Sequence, residues 1–153
     1  MNARRAPAGP DRIACRAELA SLPALLALVA TVCERERVDA KTAHALQLVA
    51  EEACVNVMHH AYPGGQPGPL VLQARTGQRD GRRHIALTLE DQGKPFDPLS
   101  LAPADTTASL DARAPGGLGV HLIRQLSDRQ HYAHDPRRGN VFTVEVDLAP
   151  ALP

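Results

Sequence analysis

The chain has 153 residues, the size of one ordinary domain, and at 44% hydrophobic residues it can bury a single core. Seventeen basic and seventeen acidic residues cancel, which removes the electrostatic case for a nucleic-acid footprint or an acidic-membrane anchor. No apolar run approaches the roughly 20 residues that span a bilayer, and the longest, LASLPALLALVATVC, is broken by Pro23 and lacks a signal-peptide layout.

Aromatic residues are scarce, at 3% with no Trp, so aliphatic side chains must build the core. Cys15, Cys33 and Cys54 are odd in number and far apart in sequence. Three reduced thiols in a cytoplasmic chain are the simplest expectation.

In chain order, residues 1–10 (MNARRAPAGP) read as a disordered tail, and the domain is expected over 11–150. RIACRAEL alternates weakly, as an edge strand does. Leu22 to Val38 has helical spacing, with Pro23 tolerated in the first turn. A second helix is predicted from Lys41 to Ala61, starting near Asp39 and stopping at Pro63-Gly64-Gly65. GPLVLQART and RRHIALTLED read as strands joined by GQRDG. Lys94 to Pro115 is long for a passive connection and reads as a lid. GGLGVHLIRQLSD opens with glycines and becomes a helix, and RQHYAHD and NVFTVEVDL form a last strand pair around PRRGN. Strands outnumber crossover helices, so an α+β fold is expected, with a mixed sheet and helices on one face.

Three pieces carry candidate chemistry. On the second helix, Leu46, Val49, Ala50, Ala53, Val57 and His60 share a stripe at about 100° per residue. Glu52 and Asn56 stack at its edge through their four-residue spacing. That places Glu52 toward a pocket and Glu51 toward solvent, although polar shoulders on an ordinary boundary helix would look the same. On the strand IALTLED, Ile85, Leu87, Leu89 and Asp91 fall on one side. Asp91 therefore ends an apolar row, where a buried carboxylate needs a donor. The exocyclic amine of adenine would serve, and a carboxylate capping its own turn is the alternative. Gly116, Gly117 and Gly119 sit where a helix begins, which suits either anion capture by free amides or a flexible helix entry. The segment is neither a Walker loop nor a dinucleotide fingerprint. His59, His60 and Cys54 lack a second ligand pair at metal spacing and read as structural.

Taken together, EEACVNVMHHAY, EDQGKPFDP and GGLGVHLIRQLSD resemble the three nucleotide-binding boxes of the GHKL ATPase superfamily. Within it, the chain is similar to stand-alone anti-sigma-factor serine/threonine kinases over residues 12 to 148, including the Asn followed four positions later by His-Ala-Tyr in NVMHHAY. The resemblance implies a two-layer α/β sandwich of the Bergerat, histidine-kinase-like type that binds ATP and Mg²⁺.

By that similarity, Asn56 would coordinate Mg²⁺ and Glu52 would be the general base toward a serine or threonine hydroxyl. Asp91 would accept from the adenine amine, and Gly93 would permit close approach of the base. Gly116, Gly117, Leu118 and Gly119 would offer amides to the phosphates. Asn140 would make a water-mediated adenine contact, and His60 would pack behind the pocket. Lys94 and Arg113 could meet a phosphate or simply be solvated. The implied partners are a sigma factor and a small anti-sigma-factor antagonist carrying the target serine, with a homodimer as the implied assembly. Autophosphorylation on histidine and gyrase-like or chaperone-like work are not expected, because neither a dimerising helical pair nor transducing domains accompany the boxes. A second reading is an ATP-gated protein-binding switch with little or no phosphotransfer.

Overall fold

The computed structural model of the chain describes residues 11–100 and 117–150. Strands β1 (Asp11–Arg16), β2 (Pro69–Arg79), β3 (Arg82–Asp91), β4 (Arg129–Asp135) and β5 (Gly139–Asp147) form one sheet in the order β1-β2-β3-β5-β4. Helices α1 (Leu22–Arg35), α2 (Ala40–His60) and α3 (Gly117–Leu126) pack over it. This is the α+β arrangement expected, with one correction. The sheet is antiparallel at every pairing rather than mixed. The connection through α3 does deliver β4 parallel to β3, but β5 lies between them. A parallel pair of directions thus exists without parallel hydrogen bonding.

Period-two alternation decides which side of the sheet is buried. Leu70, Leu72 and Ala74 of β2, Ile85, Leu87 and Leu89 of β3, and Phe142, Val144 and Val146 of β5 share one buried cluster. They meet Leu25, Val29 and Val32 of α1, Leu46, Val49 and Ala53 of α2, and Ile123 of α3. The opposite face is polar. There Thr88 faces Thr143 across β3–β5, and Arg129 pairs with both Glu145 and Asp147.

Several boundaries differ from expectation for local reasons. Helix α1 stops at Arg35 because Arg37 takes a left-handed conformation at φ 54°. The Val38 amide then donates to Cys33 O (2.9 Å) and the Arg37 amide to Glu34 O (3.2 Å), a Schellman closure. Strand β2 runs on to Arg79 because its hairpin needs only Asp80 and Gly81, at φ 52° and 77°. Two positive φ values make a type I′ turn, whose twist matches that of the strands.

The second hairpin depends on Gly139. It has φ 79°, and a Cβ there would stand 2.2 Å from the Asp91 carbonyl oxygen. Gly139→Ala should therefore lower unfolding stability by at least about 1–3 kcal/mol from backbone strain alone, read as a lower urea midpoint with an unchanged m-value.

Candidate functional site

Helix α2 begins at Asp39, whose carboxylate accepts from the Thr42 amide (3.2 Å). Hydrogen bonding from Thr42, by its side chain first and then its amide, holds the Asp39 pKa below the ordinary carboxylate range. From there the helical period buries Leu46, Val49, Ala50 and Ala53 against the sheet. The flank reached by Asn56, Val57 and His60 turns to a cleft open to solvent, whose empty space is about 450 Å³ with the open solvent at its mouth included. Its other walls are Asp91, the following segment with Lys94, Phe96 and Pro98, and Tyr132, Asn140 and Phe142 from β4 and β5.

Asp91 is buried at 7% exposure, at the end of the apolar row of β3, as the alternation predicts. One oxygen, Oδ1, accepts from Asn140 Nδ2 (2.8 Å) and from the Gly93 amide (2.9 Å). No described residue donates to Oδ2. Burial pushes the Asp91 pKa up, and the bonds from Asn140 and Gly93 partly oppose that. A desolvated carboxylate with one oxygen left over is a hydrogen-bond acceptor for a ligand. The turn-capping alternative holds for Oδ1, which accepts from the Gly93 amide, and leaves Oδ2 for the ligand reading.

Asn140 is the register partner of Asp91 across β3–β5. Its Nδ2 also donates to Lys94 O (2.9 Å), while its Oδ1 accepts from the Tyr132 hydroxyl (2.5 Å) and the Phe96 amide (3.4 Å). The side chain is thus committed to protein groups at both ends.

Gly93 is small because of helix α2. A Cβ at this position would lie 2.3 Å from Ala61 O, a backbone atom that cannot yield, and the neighbouring Lys94 amide donates to that same oxygen (3.0 Å). Tyr62, just beyond α2, donates its hydroxyl to Pro69 O (2.5 Å) and accepts from the Gln92 amide (2.7 Å). It ties the helix end to β2 and to the turn after Asp91.

Glu52 lies outside the cleft wall, one turn before Asn56, at the junction of α2 with α3. A Cβ on Gly119 would stand 2.6 Å from Glu52 Oε2, so the glycine lets the first turn of α3 ride close over the carboxylate. Burial, and secondarily the charge of Glu51, raise the Glu52 pKa above the ordinary range. Glu51, expected in solvent, is partly buried as well. Asn56 faces the cleft, and no described residue hydrogen-bonds its carboxamide.

Asn56, Asp91, Lys94, His60 and Asn140 are therefore brought together around one cleft, and Glu52 and Gly119 touch each other beside it. Gly117 and Leu118 open α3, with the Leu118 side chain exposed. Gly116, Arg113 and most of the lid lie outside the described residues. Cys54 is buried in the core with its thiol pushed up to about 12 by desolvation, which makes it a poor metal ligand.

Tyr62 and Phe96 fall within the quoted boxes, but no role followed from the sequence for them or for Tyr132 and Phe142. A compositional signal for them existed. They are the only four Phe, Tyr or Trp residues of the chain; three line the cleft and the fourth bonds the turn beneath it. A chain so poor in aromatics that gathers all of them at one place marks that place.

An α+β layer pair with a buried carboxylate at the end of a central strand, a carboxamide on the facing helix that no described residue bonds and a glycine-led third helix fits a nucleotide-binding domain of the histidine-kinase type. The family model described as "Histidine kinase-like ATPase domain" matches residues 15–145, and the chain belongs to that family. Among individual relatives, the chain is 34% identical over 100 residues to "Serine/threonine-protein kinase BtrW" of Bordetella bronchiseptica, covering 65% of this chain and 63% of that protein. It is 34% identical over 94 residues to "Serine-protein kinase RsbW" of Halalkalibacterium halodurans, covering 59% and 54%. With the protein of the same name from Bacillus subtilis it shares 30% over 87 residues, covering 54% and 52%. The matched segments thus span about half to two-thirds of those relatives' own lengths.

Proposed function

We propose that the protein is an ATP-dependent serine/threonine protein kinase of the anti-sigma-factor type, acting on a small antagonist protein. The observation that carries this reading is the cleft, in which neither Asp91 Oδ2 nor the Asn56 carboxamide has a hydrogen-bond partner among the described residues. Three further features support it: the family membership, the kinase names of the relatives, and the resemblance of the boxes to anti-sigma-factor kinases.

In this reading Asp91 Oδ2 accepts from the adenine 6-amine. The Asn56 amide oxygen is a hard donor suited to Mg²⁺, which typically keeps water and phosphate oxygens as its remaining ligands. The ion would neutralise charge on the transferred phosphoryl group. Gly116, Gly117, Leu118 and Gly119 would present backbone amides to the phosphates at the start of α3, where the helix dipole favours an anion. Glu52, desolvated beneath Gly119, would accept the proton of an incoming hydroxyl. Phosphoryl transfer then needs little else from the protein than positioning and charge stabilisation.

A sigma factor and its antagonist are the partner classes that the boxes imply, with a homodimer as the assembly, and the cytoplasm is the compartment that suits three free thiols. No helix among the described residues is long and apolar enough to cross a membrane. The decisive experiment incubates purified protein, radiolabelled Mg-ATP and the antagonist encoded beside it. Phosphoserine or phosphothreonine on the antagonist is the expected product. ATP binding with partner affinity that changes on nucleotide addition, but with no phosphoprotein formed, would replace the kinase by the ATP-gated switch.

A further inference from the structure

We propose that Tyr132 and Asn140 form a positioning pair that sets the base selectivity of the cleft by holding Asp91 and the segment after it in one arrangement. The inference rests on the adenine reading of Asp91 and adds residues that do not themselves touch the base.

The two ends of a carboxamide have opposite hydrogen-bonding character. Around Asn140 they meet opposite environments. The oxygen faces two donors, the Tyr132 hydroxyl at 2.5 Å and the Phe96 amide at 3.4 Å. The NH₂ faces three acceptors, Asp91 Oδ1 at 2.8 Å, Lys94 O at 2.9 Å and Gly93 O at 3.4 Å. The Tyr132 hydroxyl itself accepts from the Phe96 amide at 3.2 Å. Its single proton is therefore free to go to Asn140, and the amide has only one satisfied orientation.

This arrangement has a consequence at Asp91. With NH₂ toward it, Oδ1 is occupied and Oδ2 remains as the acceptor in the cleft. The same bonds tie residues 93–96 to β4 and β5, which thereby hold the Lys94 and Phe96 walls. Asn140, with both ends engaged, acts on the base through Asp91 and not by its own contact. The pair spans β4 and β5 and is reached only through the fold.

Other titratable groups around Asp91 and Tyr132 are Tyr62 beyond α2, His60 on α2, Lys94 and Asp97 in the following segment, and His134 on β4. None of them donates to Asp91 Oδ1 in place of Asn140.

The test compares ATP with purine riboside triphosphate, which lacks the 6-amine, by titration calorimetry on the full chain at constant Mg²⁺. Wild type should prefer ATP. Tyr132→Phe should weaken ATP by about two- to tenfold, the worth of one ordinary hydrogen bond, and leave the analogue unchanged. Asn140→Leu, close to asparagine in shape, removes the donor to Asp91 and cannot be protonated to replace it, so it should lose the same discrimination. A purely structural role would weaken both nucleotides equally, and that result, or full discrimination in both variants, overturns the pair. Equal affinities in wild type would instead overturn the adenine reading of Asp91 and the pair with it.

Discussion

Glu52→Gln is expected to lower phosphoryl transfer to a protein hydroxyl by about 10²–10⁴-fold, the usual worth of a positioned general base. Affinity for Mg-ATP should stay near wild type, because Glu52 lies outside the cleft wall. Glutamine keeps the shape beneath Gly119, where the carboxylate oxygen comes closest, but cannot take a proton. The same change should raise the melting temperature of the nucleotide-free protein, since it removes a charge that the fold desolvates and Glu51 repels.

The pH dependences of rate and stability run in opposite directions. Because the folded-state pKa of Glu52 is raised, the folded protein holds this proton more tightly than the unfolded chain does. Its contribution to stability is present in full below the unfolded pKa and is lost as pH rises through the folded value. Catalysis needs the deprotonated form. The transfer rate should therefore fall on acidification at a pH above the ordinary glutamate range, and Glu52→Gln should abolish that limb. Transfer by the variant at the wild-type rate would remove Glu52 from the chemistry.

Asp91→Asn should change which purine is preferred. Its Oδ1 position is flanked by two donors, Asn140 Nδ2 and the Gly93 amide. An asparagine there keeps its oxygen toward them and turns an NH₂ to where Oδ2 stood. That group repels the 6-amine of adenine and suits a 6-keto oxygen. Losing a hydrogen bond to a charged acceptor costs about 1.5–3 kcal/mol, so ATP affinity should fall by roughly ten- to a hundredfold. ITP should gain relative to ATP in parallel titrations. An ATP-to-ITP ratio unchanged from wild type would show that the base is read elsewhere. Asparagine is the informative substitution because alanine would leave Asn140 Nδ2 and the Gly93 amide both short of an acceptor.

Sequence alone reaches far along this chain because its strongest signals are local. The I-A-L-T-L-E-D alternation places Asp91 on the buried side, and β3 begins and ends where the pattern says. Four-residue spacing puts Glu52 and Asn56 on one flank of α2, and Asp39 and the Pro-Gly-Gly stop bound that helix within a residue or two. These outcomes follow from backbone periodicity and capping, which depend on residues close in sequence.

Only the tertiary structure decides the rest. That Asn140 bonds Asp91, 49 residues away, follows from strand register. That Gly93 must be small follows from a carbonyl at Ala61, and Gly119 lies over Glu52 because α3 packs on α2. The antiparallel order, with β5 set between β3 and β4, likewise has no local signature. Side chains distant in sequence meet through packing and sheet pairing. Periodicity reports which face a residue takes, but not which neighbour it finds there.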